Sequence, residues 1–197
     1  MTLGQVKLDD PRSLRAYAHP LRLSLIGLLR GSGPMTATRA AAELGQTVPN
    51  CSFHLRQLAK YGLVERAPGA DARERPWRAT ADSTSWDDAS EDPEMKSATD
   101  QLNAVIIAQY VRRAEEYLAT RTAEPVEWRA AAGFGDAVVH VTAQELTELT
   151  TQVEALFARF DERAADASTR PDGARAVQII QLSMPLEPPA SPEPDHH

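Results

Sequence analysis

The sequence predicts a mainly α fold with a small β component: an N-terminal helical unit closed by a hairpin, then a C-terminal α+β region. Three observations predict it. Apolar residues recur at helical steps of three and four over 12–30, 36–44 and 47–61. Two short strand-like runs, "LVERA" and "PWRAT", flank the polar loop "PGADARER". A second long helical pattern begins near Pro93, after an acidic stretch poor in apolar residues.

Asp9-Asp10-Pro11 has the form of a helix start, with acidic groups ahead of a first-turn proline. Leu14, Tyr17, Leu21, Leu25, Leu28 and Leu29 then mark one face of a helix over 12–30. His19-Pro20 interrupts it. Proline removes a helical hydrogen bond, so a bend or two abutting helices are expected there. "GSGP" ends the run. A short helix over 36–44 is capped by Thr36 or Thr38 and stopped by Gly45. Thr47 caps the next helix, which tolerates Pro49 in its first turn and runs to Tyr61, with Gly62 closing it.

The two strand-like runs form a hairpin with a long basic tip, which completes a domain over 12–80. Residues 81–93 read as an acidic linker. The helix over 93–121 carries Leu102, Val105, Ile106, Tyr110 and Tyr117, and also Ile107, Val111, Ala114 and Leu118, around more than half its circumference. A helix apolar on two sides needs two partners, here its own domain and a second subunit. "AVVHVT" (137–142) and "AVQIIQLSM" (176–184) read as strands. Between them a helix over 143–166 bears a seam of Leu146, Leu149, Val153, Leu156 and Phe160, suited to helix packing. Residues 94–184 are therefore the expected dimerisation and effector region, and 185–197 a Pro-rich disordered tail.

With 42% hydrophobic and 25% charged residues the composition is that of a globular protein. One cysteine, Cys51, excludes an internal disulfide and a Cys-rich zinc site. The opening residues lack a secretory pattern, and "LRLSLIGLLR" is too short and too charged to span a bilayer, so a cytoplasmic location is expected. The net charge of −7 argues against a polyanionic partner only while the chain is taken whole. Residues 1–80 hold 12 Lys/Arg against 6 Asp/Glu, and residues 81–197 hold 9 against 22. A basic first half joined to an acidic second half points to a polyanion at the first half.

The helix that starts at Thr47 makes that reading specific. Stepping about 100° per residue places Cys51, Leu55, Leu58 and Ala59 on one side. The opposite side carries Asn50, Phe53, Arg56, Gln57 and Lys60, with Thr47, Pro49 and Ser52 around the helix start. Asn and Gln match adenine edges, Arg matches guanine or phosphate, and an apolar ring can meet the thymine methyl. The amino end of this helix would offer backbone amides to a phosphate. Arg73 and Arg75 at the hairpin tip would reach flanking backbone. The order helix, helix, short turn, helix, basic hairpin is that of a winged helix-turn-helix, with double-stranded DNA as the expected partner.

The segment "LRAYAHPLRLSLIGLLRGSGPMTATRAAAELGQTVPNCSFHLRQLAKYGLVER" resembles the winged helix-turn-helix of ArsR-type bacterial transcription regulators. The resemblance rests on "AHPLRLSLIGLL", "TRAAAELG" and "FHLRQLAKYGLVER" and covers roughly 12–80. It implies a homodimer that binds an inverted repeat and represses transcription until an effector releases it. The helix with Asn50, Phe53 and Arg56 matches the family's recognition helix. Metal-sensing members carry paired cysteines in the supporting helix; here that segment is "ATRAAAELG", and no metal is expected. The acidic 81–197 region is longer than the minimal family fold and resembles larger actinobacterial-type members. A small-molecule effector at 122–184 is an extension of this reading. A winged helix recruited to protein contacts, without DNA binding, is the alternative.

Other residues have plainer readings. Cys51 faces inward and reads as core in place of a redox sensor. His54 sits on the shoulder of the buried side, as apt for helix packing as for phosphate. His19 reads as packing at the bend, and His140 has no second ligand at metal spacing. Glu115-Glu116 and Asp87-Asp88 do not form an acid/base dyad. No GxSxG, HExxH, Walker or GxGxxG pattern occurs, so neither catalysis nor a cofactor is expected. Trp128 and Phe134 either line an apolar pocket with Trp86 or Tyr110 or, as the simpler reading, anchor a loop.

Overall fold

The computed structural model describes residues 4–68 and 75–186. Its first half is built from helices whose ends are set by local chemistry. Helix α1 (Pro11–Tyr17) begins where the Arg12 and Ser13 amides donate to Asp10 Oδ1 at 2.9 and 3.1 Å. Only Ala18 and His19 separate helix α2 (Pro20–Ser32) from α1, with His19 extended and its Nδ1 accepting from the Leu21 amide at 3.1 Å. The expected interruption at His19-Pro20 is thus two abutting helices. A residue before proline is driven out of the α region, and here its imidazole serves as the cap.

Helix α3 (Ala37–Glu43) is capped by Thr36, whose hydroxyl accepts from the Arg39 amide at 3.2 Å. The turn to helix α4 (Val48–Lys60) needs Gly45, at φ 59°. There the Gln46 amide reaches back to Ala41 O at 2.9 Å, a closure that leaves its penultimate residue left-handed. The same closure ends α4: Gly62 stands at φ 69°, and the Leu63 amide donates to Leu58 O at 3.1 Å.

Strands β2 (Val64–Arg66) and β3 (Trp77–Ala79) pair antiparallel, Arg66 opposite Trp77, as the hairpin reading expects. Trp77 also exchanges both backbone hydrogen bonds with Met35, which ties the wing to the α2–α3 junction. Across the hairpin Arg78 pairs with Glu65 at 2.6 Å.

The acidic linker reading of 81–93 needs correction. Residues 83–86 form β4 (Ser83–Trp86), which pairs in parallel with β1 (Gln5–Leu8). Arg30 of α2 holds this segment, donating to Ala81 O at 2.8 Å and to Thr84 Oγ1 at 2.7 Å. Ala81 is buried, and Trp86 packs on the core. Only the stretch after Trp86 is mostly exposed loop.

Helix α5 (Pro93–Thr120) spans the length expected. Met95, Ala98 and Leu102 lie in the same core as Leu14, Leu25 and Leu55, so its first half completes the N-terminal domain. Its far side keeps Ile107, Val111 and Leu118 about half exposed. Beyond a 3₁₀ turn come helices α6 (Val126–Ala131), α7 (Ala143–Ala158) and α8 (Asp161–Ala165). Thr142 and Glu145 form a reciprocal capping box at α7.

This second half departs from the sequence reading at three places. The helix expected over 143–166 breaks after Ala158, and Trp128 lies in a helix, α6. Residues 137–142 and 176–184 form no strand: apart from the Leu146 amide of α7, which donates to Thr142 O, no backbone partner among the described residues meets either run, and a strand exists only as a pair. The α7 seam is likewise uncovered, with Leu149, Leu156 and Phe160 exposed. The tail read at 185–197 lies outside the described residues from 187 onward.

Leu102→Ala should destabilise the N-terminal domain by about 2–5 kcal/mol, because it empties a fully buried site that joins α5 to the core. Denaturant unfolding followed by circular dichroism measures it. A loss under half a kcal/mol, on the order of a surface change, would mean that α5 is not part of that core.

Candidate nucleic-acid interface

The inner side of α4 is closed: Cys51, Leu55 and Leu58 have no exposure. That burial turns the opposite side outward. Phe53 is 49% exposed, and Thr47, Pro49, Arg56 and Lys60 are exposed, with Asn50, Ser52 and Gln57 half-buried beside them. All eight α4 residues named from the sequence therefore lie at the accessible side or start of one helix. Burial of Cys51 pushes its thiol pKa up, the wrong direction for a reactive thiolate.

Several of these side chains are already held. Arg56 donates to Ser52 Oγ at 3.1 Å, one turn back along the helix. Asn50 Nδ2 donates to Gln46 Oε1 at 3.1 Å, so Gln46 joins the site although sequence periodicity did not single it out. Lys60 lies 5.7 Å from the centre of the Tyr61 ring, at the far end. The helix start is less open than expected. Pro49 has no amide hydrogen, and the Asn50 amide is taken by Thr47 Oγ1 at 3.4 Å, which leaves Val48 as the first-turn amide without a partner among the described residues.

The wing brings a second set of cations to this side. Arg66 lies with its guanidinium 3.7 Å from the centre of the Trp77 ring and donates to the Arg75 carbonyl. Burial on the indole lowers its pKa, and the charges of Arg75 and Arg56 lower it further. Arg56 of α4, Arg66 of β2 and Arg75 of the wing thus share one positive field. Among the described residues none of the three is ion-paired with a carboxylate. Arg66 was not foreseen; its role depends on the cross-strand ring opposite it. Arg73 lies outside the described residues.

Residues 17–67 match the family model of a helix-turn-helix domain. The chain carries a helix-turn-helix domain. The match begins at the last residue of α1 and runs through α4 to the end of β2, covering 51 of 197 residues. No curated protein matches the chain. Within this helix-turn-helix, α3 and α4 are the crossing pair, and α4 takes the position of the reading helix.

Behind the reading helix is a polar cluster. The His54 and His19 rings lie 4.3 Å apart, and Phe53 meets His54 edge-on at 5.2 Å. His54 is 8% exposed, so it packs and does not offer itself to phosphate. Its Nδ1 and the Nε of Arg22 are buried without a partner among the described residues. Burial lowers the pKa of both histidines; Arg22 adds to this, and His19 acts on His54.

Elsewhere the sequence candidates are not brought together. Trp86 packs on the N-terminal core, whereas Phe134 meets Tyr117 at 6.2 Å and Arg175 sits 4.7 Å over Trp128. The aromatic pocket is therefore not formed. A cavity of about 260 Å³ lies nearby, lined by Tyr117, Arg121, Thr122, Arg129 and Ala132. No group of three or more His, Cys, Asp or Glu among the described residues is placed to hold a metal ion. No helix among them is long and apolar enough to cross a membrane.

The histidine pair should make the domain acid-sensitive. Both folded pKa values lie below the ordinary 6.5, so the unfolded chain binds more protons between the two values. Stability is then full above pH 6.5 and falls as pH drops through 6.5 towards the depressed folded values. His54→Gln should flatten this acid slope in melting curves recorded from neutral to mildly acidic pH. An unchanged slope would assign the acid sensitivity to other groups.

Proposed function

We propose that this chain is a sequence-specific DNA-binding transcription regulator of ArsR type, acting as a homodimer at an inverted-repeat operator. The observation that carries the reading is the continuity of two surfaces. The exposed Asn50–Phe53–Arg56–Gln57 face of α4 carries groups that match base edges. The Arg56–Arg66–Arg75 field beside it lacks a carboxylate counter-charge among the described residues, and phosphate would supply one. Base readout and backbone affinity are thus assigned to adjacent, differently built parts of one site.

Dimerisation is supported by the uncovered apolar side of α5. Two reading helices about 34 Å apart would meet successive major grooves on one face of the duplex, so the operator is a pseudo-palindrome. Repression relieved by a small molecule is the regulatory scheme proposed with it, with the second half of the chain as its receiver. The role is one of binding, not catalysis.

Selection from a random duplex pool at physiological salt tests this directly. An enriched inverted repeat, lost in a Phe53→Ala/Arg56→Ala double variant, is the expected outcome. Absence of enrichment would favour a protein-contact module. Arg56→Ala alone should cost about 1–3 kcal/mol and relax preference at one base position. Arg75→Ala should weaken all sequences alike and reduce the salt slope by about one. A Phe53/Arg56 face whose removal changes only the salt slope would be a backbone contact and not a reader.

A further inference from the structure

The chain after α5 has the sequence of a folded region but no core. Among the described residues, none beyond Gln109 is buried. Val138 and Val139 are 68% and 58% exposed, and Val177 and Ile179 are 59% and 66% exposed. The backbone of 134–141 and of 175–186 makes no backbone hydrogen bond among the described residues. Runs this rich in β-branched residues, open along both edges, are sticky templates that folded proteins cover.

The second run is nevertheless placed. Arg175 donates to both carboxylate oxygens of Glu124 at 2.6 and 2.9 Å and stacks over Trp128. Arg113 of α5 donates to Gln178 Oε1. The Arg175 contacts tie the start of the run to Glu124 and α6, and the Arg113 bond ties it to α5, the helix whose Ile107, Val111 and Leu118 are uncovered.

We propose that residues 137–142 and 176–184 are strands of an intermolecular sheet completed by a second copy of this chain. The inference rests on the dimer proposed above and deepens it. Three observations favour a copy of itself as the occupant. The two runs hold a single titratable side chain, His140, so a charged partner would find almost nothing to pair with. The second run is bonded to α5, the helix whose Ile107, Val111 and Leu118 are uncovered, and a two-fold arrangement buries the same patch on both subunits. The area also fits. A compact chain of 21.5 kDa exposes about 9,200 Å², whereas this one exposes 14266 Å². Leaving the residues outside the described range out of both sides, about 3,200 Å² of the observed area and about 700 Å² of the compact reference, gives a surplus of about 2,600 Å². An ordinary interface takes about 800 Å² from each partner, and permanent homodimers take more.

The test is amide hydrogen exchange on the full chain across a dilution series, with sedimentation equilibrium on the same samples. A dimer is expected, with the amides of 137–142 and 176–184 protected and losing protection in step with dissociation. A Val139→Asp/Ile179→Asp variant should raise the dimer dissociation constant at least about 100-fold, with the helical circular dichroism of the N-terminal domain retained. A dimer whose arm amides exchange freely would overturn the inference and leave the dimer standing. Protection that persists in samples which sedimentation shows to be monomeric would place the pairing within one chain and overturn it too. A monomer at every concentration would remove both dimer and inference, while the random-pool selection would still judge the reading helix separately.

Discussion

Burial of Cys51, Leu55 and Leu58 against the core fixes the rotation of α4 about its own axis, and most of the first half depends on that rotation. A helix of 13 residues held by one face has no freedom to choose what it presents on the other. Phe53 is half exposed for this reason: three of its helical neighbours are committed inward. The wing is positioned by the same core. Trp77 is buried in it and bonded on both backbone sides to Met35, so the ring on which Arg66 lies cannot drift from α4. The positive field beside the reading face is therefore a product of packing, since among the described residues none of its three arginines is in an ion pair.

How much of this could be read from the residues depended on the range of the forces involved. Helices α1 to α5 were legible because their signals are local: Asp10, Thr36 and Thr47 cap, Pro11 and Pro20 start, Gly45 and Gly62 stop. The reading face was legible because a 3.6-residue period sorts inside from outside. Arg66 was missed because its importance comes from Trp77, 11 positions away across a hairpin. Strands β1 and β4 were missed because neither carries a turn or an alternation that announces a partner far along the chain.

The strands expected at 137–142 and 176–184, which the single chain leaves unpaired, have the same root. Composition reports that a segment suits a pleated, half-buried surface; it does not report where the other half of that surface comes from. The α7 seam makes the point again. Leu146, Leu149, Val153, Leu156 and Phe160 keep a clean helical spacing, yet none is buried within the chain. Together with the bare side of α5 they mark a boundary inside one polypeptide, between a part that satisfies itself and a part that does not.

The parallel pairing of β1 with β4 has a consequence for how the protein is made. Gln5 waits for Ser83, 78 residues further along, before it has a partner. At synthesis rates of about 5–20 residues per second, the first strand emerges roughly 4–16 seconds before its mate. Helices α1 to α4 can assemble from neighbouring sequence during that interval, while Leu8, which ends fully packed, remains bare. β1 is thus tucked in late, once β4 has emerged, and only the first half of α5 follows to complete the core.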